Sequence, residues 1–257
     1  MKLFLPTLTL LGRELVRFSR QPVRVASIVL APFLYTLVVS SGLGEGVVVP
    51  GMTPGMTFAN YIFPGLLVLL VINTALFAPV STVEDRKEGF LQTVLVAPVS
   101  HGSLLLGKVL AGTLLAILQT GVILVFAPLV GVPVTWVSAG NMLVALALVG
   151  LAFSSLGFLI AWLSESVHGF QAMVQIFIIP LWLLAGGIVP LSKTSWLAWF
   201  SSFNPVSYAV DVVRQAFFGV NPDLIIAAPS GIGCVVLSVV CLVISFALLK
   251  RRVNFNI

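Results

Sequence analysis

Residues 109–164 read VLAGTLLAILQTGVILVFAPLVGVPVTWVSAGNMLVALALVGLAFSSLGFLIAWLS, a run without one Asp, Glu, Lys or Arg. The hydrocarbon core of a bilayer takes about 20 apolar residues per helix, so this run is long enough for two spans. Gly131-Val132-Pro133, followed by Thr135-Trp136, divides it with turn residues and an interfacial aromatic. The division predicts spans over 104–129 and 141–163. Working outward, four more apolar stretches of spanning length lie at 25–43, 59–83, 170–189 and 231–249. Only 8% of residues are charged and 59% are hydrophobic, against about 25% charged in a soluble domain. The expected fold is an all-α integral membrane protein with six transmembrane helices. A transmembrane barrel alternates apolar and polar residues, whereas Val122-Ile123-Leu124-Val125-Phe126 is apolar on every face.

The charges that remain give an orientation. Lys2, Arg13, Arg17, Arg20 and Arg24 precede span one; Arg86, Lys87 and Lys108 follow span two; Lys250, Arg251 and Arg252 follow span six. The opposite side holds only Lys193 and Arg214. The positive-inside rule predicts that the basic side and both termini are cytoplasmic. The net charge of +5 follows from this topology, so no nucleic-acid partner is expected; the basic segments suit the lipid bilayer's anionic headgroups. No cleavable signal peptide is evident, since the first apolar run starts late and is of full span length.

Residues 1–24 are too polar to span. At 100° per residue, Leu8, Leu11, Leu15 and Phe18 fall on one side and Arg13, Arg17, Arg20 and Arg24 on the other. This predicts an amphipathic helix along the inner membrane surface, either an anchor with a solvated basic face or a contact surface for a partner. Both roles are compatible. After span two, Glu84-Asp85-Arg86-Lys87-Glu88-Gly89 is the densest charge cluster in the chain. It opens a segment, 84–103, that continues as a short apolar-leaning helix to Ala97. Pro98 ends the helix, and Ser100-His101-Gly102-Ser103 is turn material. A solvated charge run is one reading and a docking element is the preferred one.

Residues 190–230 are too apolar for a soluble loop, and Asn204-Pro205 interrupts them. Two short helices dipping back into the bilayer fit best, since such backbone is tolerated at depth only when buried or lining a cavity. Asp211 and Arg214 stand three residues apart and can pair. The element reads as an outer gate, although interfacial anchoring alone accounts for its tryptophans. Within the spans, Asn73, Gln119, Gln171 and Gln175 are polar. Hydrogen bonding between helices and contact with a substrate are both open readings. No acid sits deep in spans one to four or six, which weighs against a proton- or sodium-driven carrier.

Three patterns are set aside. Gly102 to Lys108 matches G-x-x-x-x-G-K, but Val109 follows where a phosphate loop needs Ser or Thr. Cys234 and Cys241 are the only cysteines and lie a heptad apart within one span. His101 and His168 have no neighbours at metal-ligand spacing. No metal, cofactor or catalytic site is expected in this chain.

The chain resembles the ABC-2 type transporter permeases, such as the membrane subunits of daunorubicin-resistance and lipo-oligosaccharide exporters. The resemblance rests on Glu84 and Gly89, then Ala97-Pro98-Val99-Ser100, then Gly107-Lys108. On the other side it rests on Asn204-Pro205-Val206-Ser207-Tyr208 followed by Asp211 and Arg214. It covers nearly the whole chain as a single transmembrane domain, 1–257, and implies the plasma (inner) membrane of a prokaryote. It implies an ABC ATPase subunit in two copies, which binds ATP and Mg, and a second permease copy or a paralogue. The implied ATPase contact comprises Glu84, Asp85, Arg86, Lys87, Glu88, Gly89, Pro98, Ser100 and Lys108, together with Arg13, Arg17 and Arg20. The implied outer gate comprises Asn204, Pro205, Tyr208, Asp211 and Arg214, and Asn73, Gln171 and Gln175 are pathway candidates. The function implied is export of a hydrophobic or amphipathic substrate (a drug, a lipid or a lipid-linked glycan). The alternatives are a stand-alone carrier or channel, or a membrane enzyme.

Overall fold

The computed structural model describes residues 4–22, 58–96, 100–130, 134–187, 196–219 and 222–255, with isolated positions 26, 30, 34 and 132. The predicted span at 25–43 lies outside the described residues apart from positions 26, 30 and 34, as do Pro98 and residues 190–195 of the outer segment. Among the described residues every regular element is helical. In chain order they are α1 (Phe4–Ser19), α2 (Phe58–Phe77), α3 (Ser81–Lys87), α4 (Phe90–Val96), α5 (His101–Phe126), α6 (Trp136–Leu163), α7 (Val167–Leu184), α8 (Trp196–Phe203), α9 (Pro205–Phe217), α10 (Pro222–Ala227) and α11 (Pro229–Phe255). A 3₁₀ turn, Ala78–Val80, joins α2 to α3. Among the described residues five stretches are long and apolar enough to cross a membrane: 60–87, 101–126, 136–163, 167–184 and 229–250. The protein is a multi-pass membrane protein.

Polar residues at the helix starts set the boundaries. Ser100 accepts from the backbone N–H of Ser103 at 3.2 Å, so α5 begins at His101, three residues before its apolar run. Thr135 and Ser138 form a reciprocal capping box that starts α6 at Trp136. Ser166 caps α7 by accepting from Gly169 at 3.0 Å. A hydroxyl placed before each apolar run satisfies N–H groups that the first turn of a helix leaves without partners.

Helix α6 is central, packed by α2, α5, α9 and α11. Small residues allow this closeness. A Cβ on Gly157 would lie 2.6 Å from the Leu76 carbonyl oxygen, so only glycine lets α6 approach α2 there. Ser154 of α6 donates to the Val109 carbonyl of α5 at 2.9 Å. Gln119 of α5 accepts from the Thr74 hydroxyl of α2. Gln119 is thus bound between helices. The main apolar core runs through α2, α6 and α9, from Phe63 and Leu67 to Val149, Phe153, Val210 and Val213. A second cluster at the basic end joins Leu10, Leu91, Leu104, Phe158, Trp162 and Leu249. Helix α7 buries only Phe170, Val174, Ile178 and Trp182, one stripe at four-residue spacing.

Candidate functional site

The basic end is organised around α1. Its buried stripe, packed on the rest of the chain, is Thr7, Leu10 and Glu14; Leu8, on the apolar face expected to lie on the membrane, is exposed. Two contacts select the observed stripe. Gly107 of α5 lies where a Cβ would stand 2.9 Å from Leu10 Cβ, so α1 seats closely on α5. Glu14 Oε1 accepts from Lys108 Nζ at 2.8 Å.

Lys108 is 2% exposed. Its ammonium also donates to Ser81 Oγ at 2.8 Å and to Asp85 Oδ2 at 2.5 Å. Its three N–H donors therefore match three acceptors. Asp85 is fully buried and is gripped from the other side by α1. Arg13 Nη2 donates to Oδ1 at 2.8 Å and Nη1 to Oδ2 at 3.2 Å, while Arg17 Nη1 donates to Oδ1 at 3.1 Å. The Asp85 carboxylate holds the Arg13 guanidinium above its ordinary pKa, chiefly through that hydrogen bond. The Arg13 guanidinium lies 3.7 Å from the Phe90 ring centroid, which adds α4 to the assembly. Charges taken out of water are costly unless paired and hydrogen-bonded on all sides. Here five charged side chains from α1, α3 and α5 complete one another.

The expected contact residues therefore divide. Asp85 and Lys108 face inward and offer no side chain to a docking protein. Arg86 also turns in, donating to the Trp162 and Ser164 carbonyls at the C-terminal end of α6, at 2.8 and 2.9 Å. Arg13 and Arg17 are partly exposed but engaged; Arg17 also pairs with Glu84 at 2.9 Å and approaches Glu88 at 3.8 Å. Lys87, Glu88 and Arg20 are exposed. Gly89 turns the chain between α3 and α4 at φ +77°, a conformation that favours glycine. Ser100 serves as the α5 cap. The placement of Lys108 leaves it no role at a phosphate, so the G-x-x-x-x-G-K pattern is a helix entry. Sequence reasoning missed Glu14 and Ser81. Glu14 carried a signal, being the one acid in a segment whose other charges are all cationic.

At the far end Asn204 and Arg214 meet the end of α7, while Pro205 opens α9 and Tyr208 ties α9 to α8. Asn204 caps α9 by accepting from Val206 N–H at 2.9 Å, with Pro205 in the first turn, and donates to the Leu181 carbonyl at 2.6 Å. Tyr208 donates to the Ser202 carbonyl at 2.6 Å. Arg214 donates to the Gly186 carbonyl at 2.7 Å and stacks over Tyr61 at 4.3 Å, and Tyr61 donates to the same carbonyl at 3.3 Å. Asp211 differs from expectation. It is exposed, and among the described residues no ion pair joins it to Arg214, because the guanidinium turns to the buried carbonyl instead. Trp199, Phe200 and Phe203 form an exposed aromatic group on α8. Of the pathway candidates, Asn73 donates to Leu69 within its own helix at 2.9 Å, whereas Gln171 and Gln175 are both exposed on α7.

The sequence model of the ABC-2 type transporter family matches residues 6–218, a range that includes both ends described above. Nodulation protein J of Rhizobium leguminosarum bv. viciae is 25% identical over 224 residues, which are 86% of this chain and 84% of that protein. Nodulation protein J of Rhizobium leguminosarum bv. trifolii is 27% identical over 224 residues, 86% of this chain and 83% of that protein. With its long apolar helices and a family match spanning most of its length, the chain belongs to the ABC-2 type transporter family, as a membrane component of a transporter.

Proposed function

We propose that this chain is the permease subunit of an ATP-driven exporter and that a separate ABC ATPase subunit docks on its basic end. The observation that carries the reading is the buried ion network beneath the exposed Lys87 and Glu88. A partner that moves the α3–α4 turn also moves Asp85, and Asp85 is bonded to both α1 and α5. Displacement at the surface thus passes into a membrane helix as a rigid body rather than being absorbed by a loop. The docking surface is then Lys87, Glu88, the half-buried Glu84 and the outer face of α4. Asp85, Lys108, Arg13 and Arg17 position it from inside.

The working complex has two permease copies, or a copy and a paralogue, and two ATPase copies that bind ATP and Mg. The basic end and both termini are cytoplasmic by the cationic bias, and the resemblance to exporter permeases supports a prokaryotic inner membrane. The group around Asn204, Tyr208 and Arg214 acts as the outer gate, holding the end of α7 to α2 and α9. Gln171 and Gln175 point away from this chain's core, which suits a pathway formed between two copies. The substrate is hydrophobic or amphipathic. Similarity to the nodulation proteins J and resemblance to lipo-oligosaccharide exporters favour a lipid-linked glycan.

The test is charge reversal at the exposed pair, Lys87→Glu with Glu88→Lys, followed by co-purification with the ATPase subunit. Removing residues 84–89 is a poorer test, because it also removes Asp85 from the network. Loss of the ATPase with an unchanged melting temperature is expected; undiminished co-purification would exclude this docking surface.

A further inference from the structure

Helix α7 is lightly held along its length and tied by polar contacts at both ends. Its buried stripe is Phe170, Val174, Ile178 and Trp182, and the rest of it faces outward or is half-buried. At the outer end Trp182 Nε1 donates to the Gly65 carbonyl of α2 at 2.9 Å, beside the bonds from Asn204 and Arg214 to Leu181 and Gly186. At the basic end the tie is Arg86, on the docking turn. Only Ser164, Glu165 and Ser166 separate α6 from α7, and Ser164 and Ser166 are both extended. Arg86 Nη2 bonds the Trp162 carbonyl, in the last turn of α6. Arg86 Nη1 bonds the Ser164 carbonyl, whose peptide unit leads toward α7. The guanidinium also lies 5.0 Å from the Trp162 ring centroid.

We infer that Arg86 is a positioning residue that aims α7 from the docking turn, an output separate from the Asp85 route into α1 and α5. A cation is favoured at a helix C-terminus, where the last carbonyls lack partners within the helix, and this accounts for the Trp162 bond. The Ser164 bond does more, because it reaches past the helix into the linker. A guanidinium is a rigid fork, so a shift of Arg86 with α3 also turns the peptide after Ser164. Helix α6 is fixed between α2, α5, α9 and α11. Helix α7 is free to respond, with a pivot where Phe170 meets Phe77 edge-on at 6.0 Å, which is a hinge motion. Gln171 and Gln175 are exposed on α7 and would move with it. The source of the motion rests on the ATPase docking proposed above; the hold of Arg86 on α7 does not.

Hydrogen–deuterium exchange of the full-length chain tests this in two stretches. Residues 164–170 include the bonded amides of Ser164, Gly169 and Phe170, and residues 101–108 report the route through Lys108. In the chain alone, Arg86→Gln should speed exchange across 164–170 about tenfold, the effect of one lost charge-assisted hydrogen bond on local opening. Exchange across 101–108 should not change. Arg86→Lys keeps the charge and reaches one carbonyl, so it should restore part of the protection, and it carries the comparison if Arg86→Gln does not fold. With the ATPase subunit bound, ATP should alter both stretches in the parent chain but only 101–108 in Arg86→Gln, with co-purification undiminished. Unchanged exchange at 164–170 in the lone variant would overturn the inference. So would equal loss of protection in both stretches, or an ATP response at 164–170 that survives Arg86→Gln. An ATP effect absent from 101–108 in the parent chain would count against the docking proposal, and the lone-chain comparison would still decide the role of Arg86.

Discussion

Replacing Lys108 by Met removes one charge from the buried network and keeps most of the side-chain volume. The consequence follows from what each partner retains. Asp85 keeps Arg13 and Arg17, so it stays paired. Ser81 keeps a 3.4 Å contact to the Ala78 carbonyl. Glu14 is left with only Arg13 at 3.5 Å, on a side chain 9% exposed. Stranding one member of a buried ion pair costs about 3–5 kcal/mol. One nearly unpaired carboxylate with a distant partner places the loss near the lower end, about 3 kcal/mol. For a chain of this size that corresponds to roughly 6–12 °C in melting temperature. Cys234 and Cys241 are free and buried, so a thiol-reactive dye reports unfolding in detergent. The sign of a second substitution is more telling than the size of the first. Glu14→Gln should destabilise the parent chain, yet in the Lys108→Met background it removes the stranded charge and should restore about 1–2 kcal/mol, within the usual coupling of contacting residues. Lys87→Met, at an exposed position, should stay within about 0.5 kcal/mol. If Lys108→Met melts with Lys87→Met, or if Glu14→Gln lowers stability equally in both backgrounds, the buried network does not exist as described.

Gly157→Ala places a methyl group against the Leu76 carbonyl and should cost about 1–3 kcal/mol through forced separation of α2 and α6. Gly140→Ala meets nothing within 4 Å and should stabilise α6 by up to about 1 kcal/mol; paired melting curves distinguish the two. Arg214→Lys cannot both bond the Gly186 carbonyl and stack over Tyr61, so it should lose about 1–2 kcal/mol despite keeping its charge. Asn204→Ala removes the α9 cap and the tie to Leu181, with an expected loss of about 1–2 kcal/mol in the same dye assay.

The apolar runs made the helical membrane class legible, because lipid requires every backbone group to be satisfied within its own helix. Helix starts were not read correctly: Ser100, Thr135 and Ser166 cap helices that begin at His101, Trp136 and Val167, whereas composition took 100–103 as turn material and placed the spans several residues late, because a cap hydroxyl extends a helix beyond its apolar run. The interior of the basic end was not legible. A charged cluster in sequence reads as a surface, and nothing in Glu84–Glu88 marks Asp85 as the residue that turns inward. Its burial depends on Arg13 and Lys108, which lie 72 and 23 residues away. The same holds at the far end. Asp211 and Arg214 are spaced to pair along a helix, but the Gly186 carbonyl, brought near by tertiary packing, competes for the guanidinium.

The central claim is that an ATPase delivers its motion to the exposed turn above the ion network. Photo-crosslinking with the purified ATPase subunit tests it most directly, using a benzophenone attached to cysteine at position 88 and, separately, at position 199 on the far-end aromatic group, in a background lacking Cys234 and Cys241. The account predicts that position 88 captures the ATPase subunit and position 199 does not. Capture from position 199, or no capture from position 88 under conditions where the complex hydrolyses ATP, would contradict it.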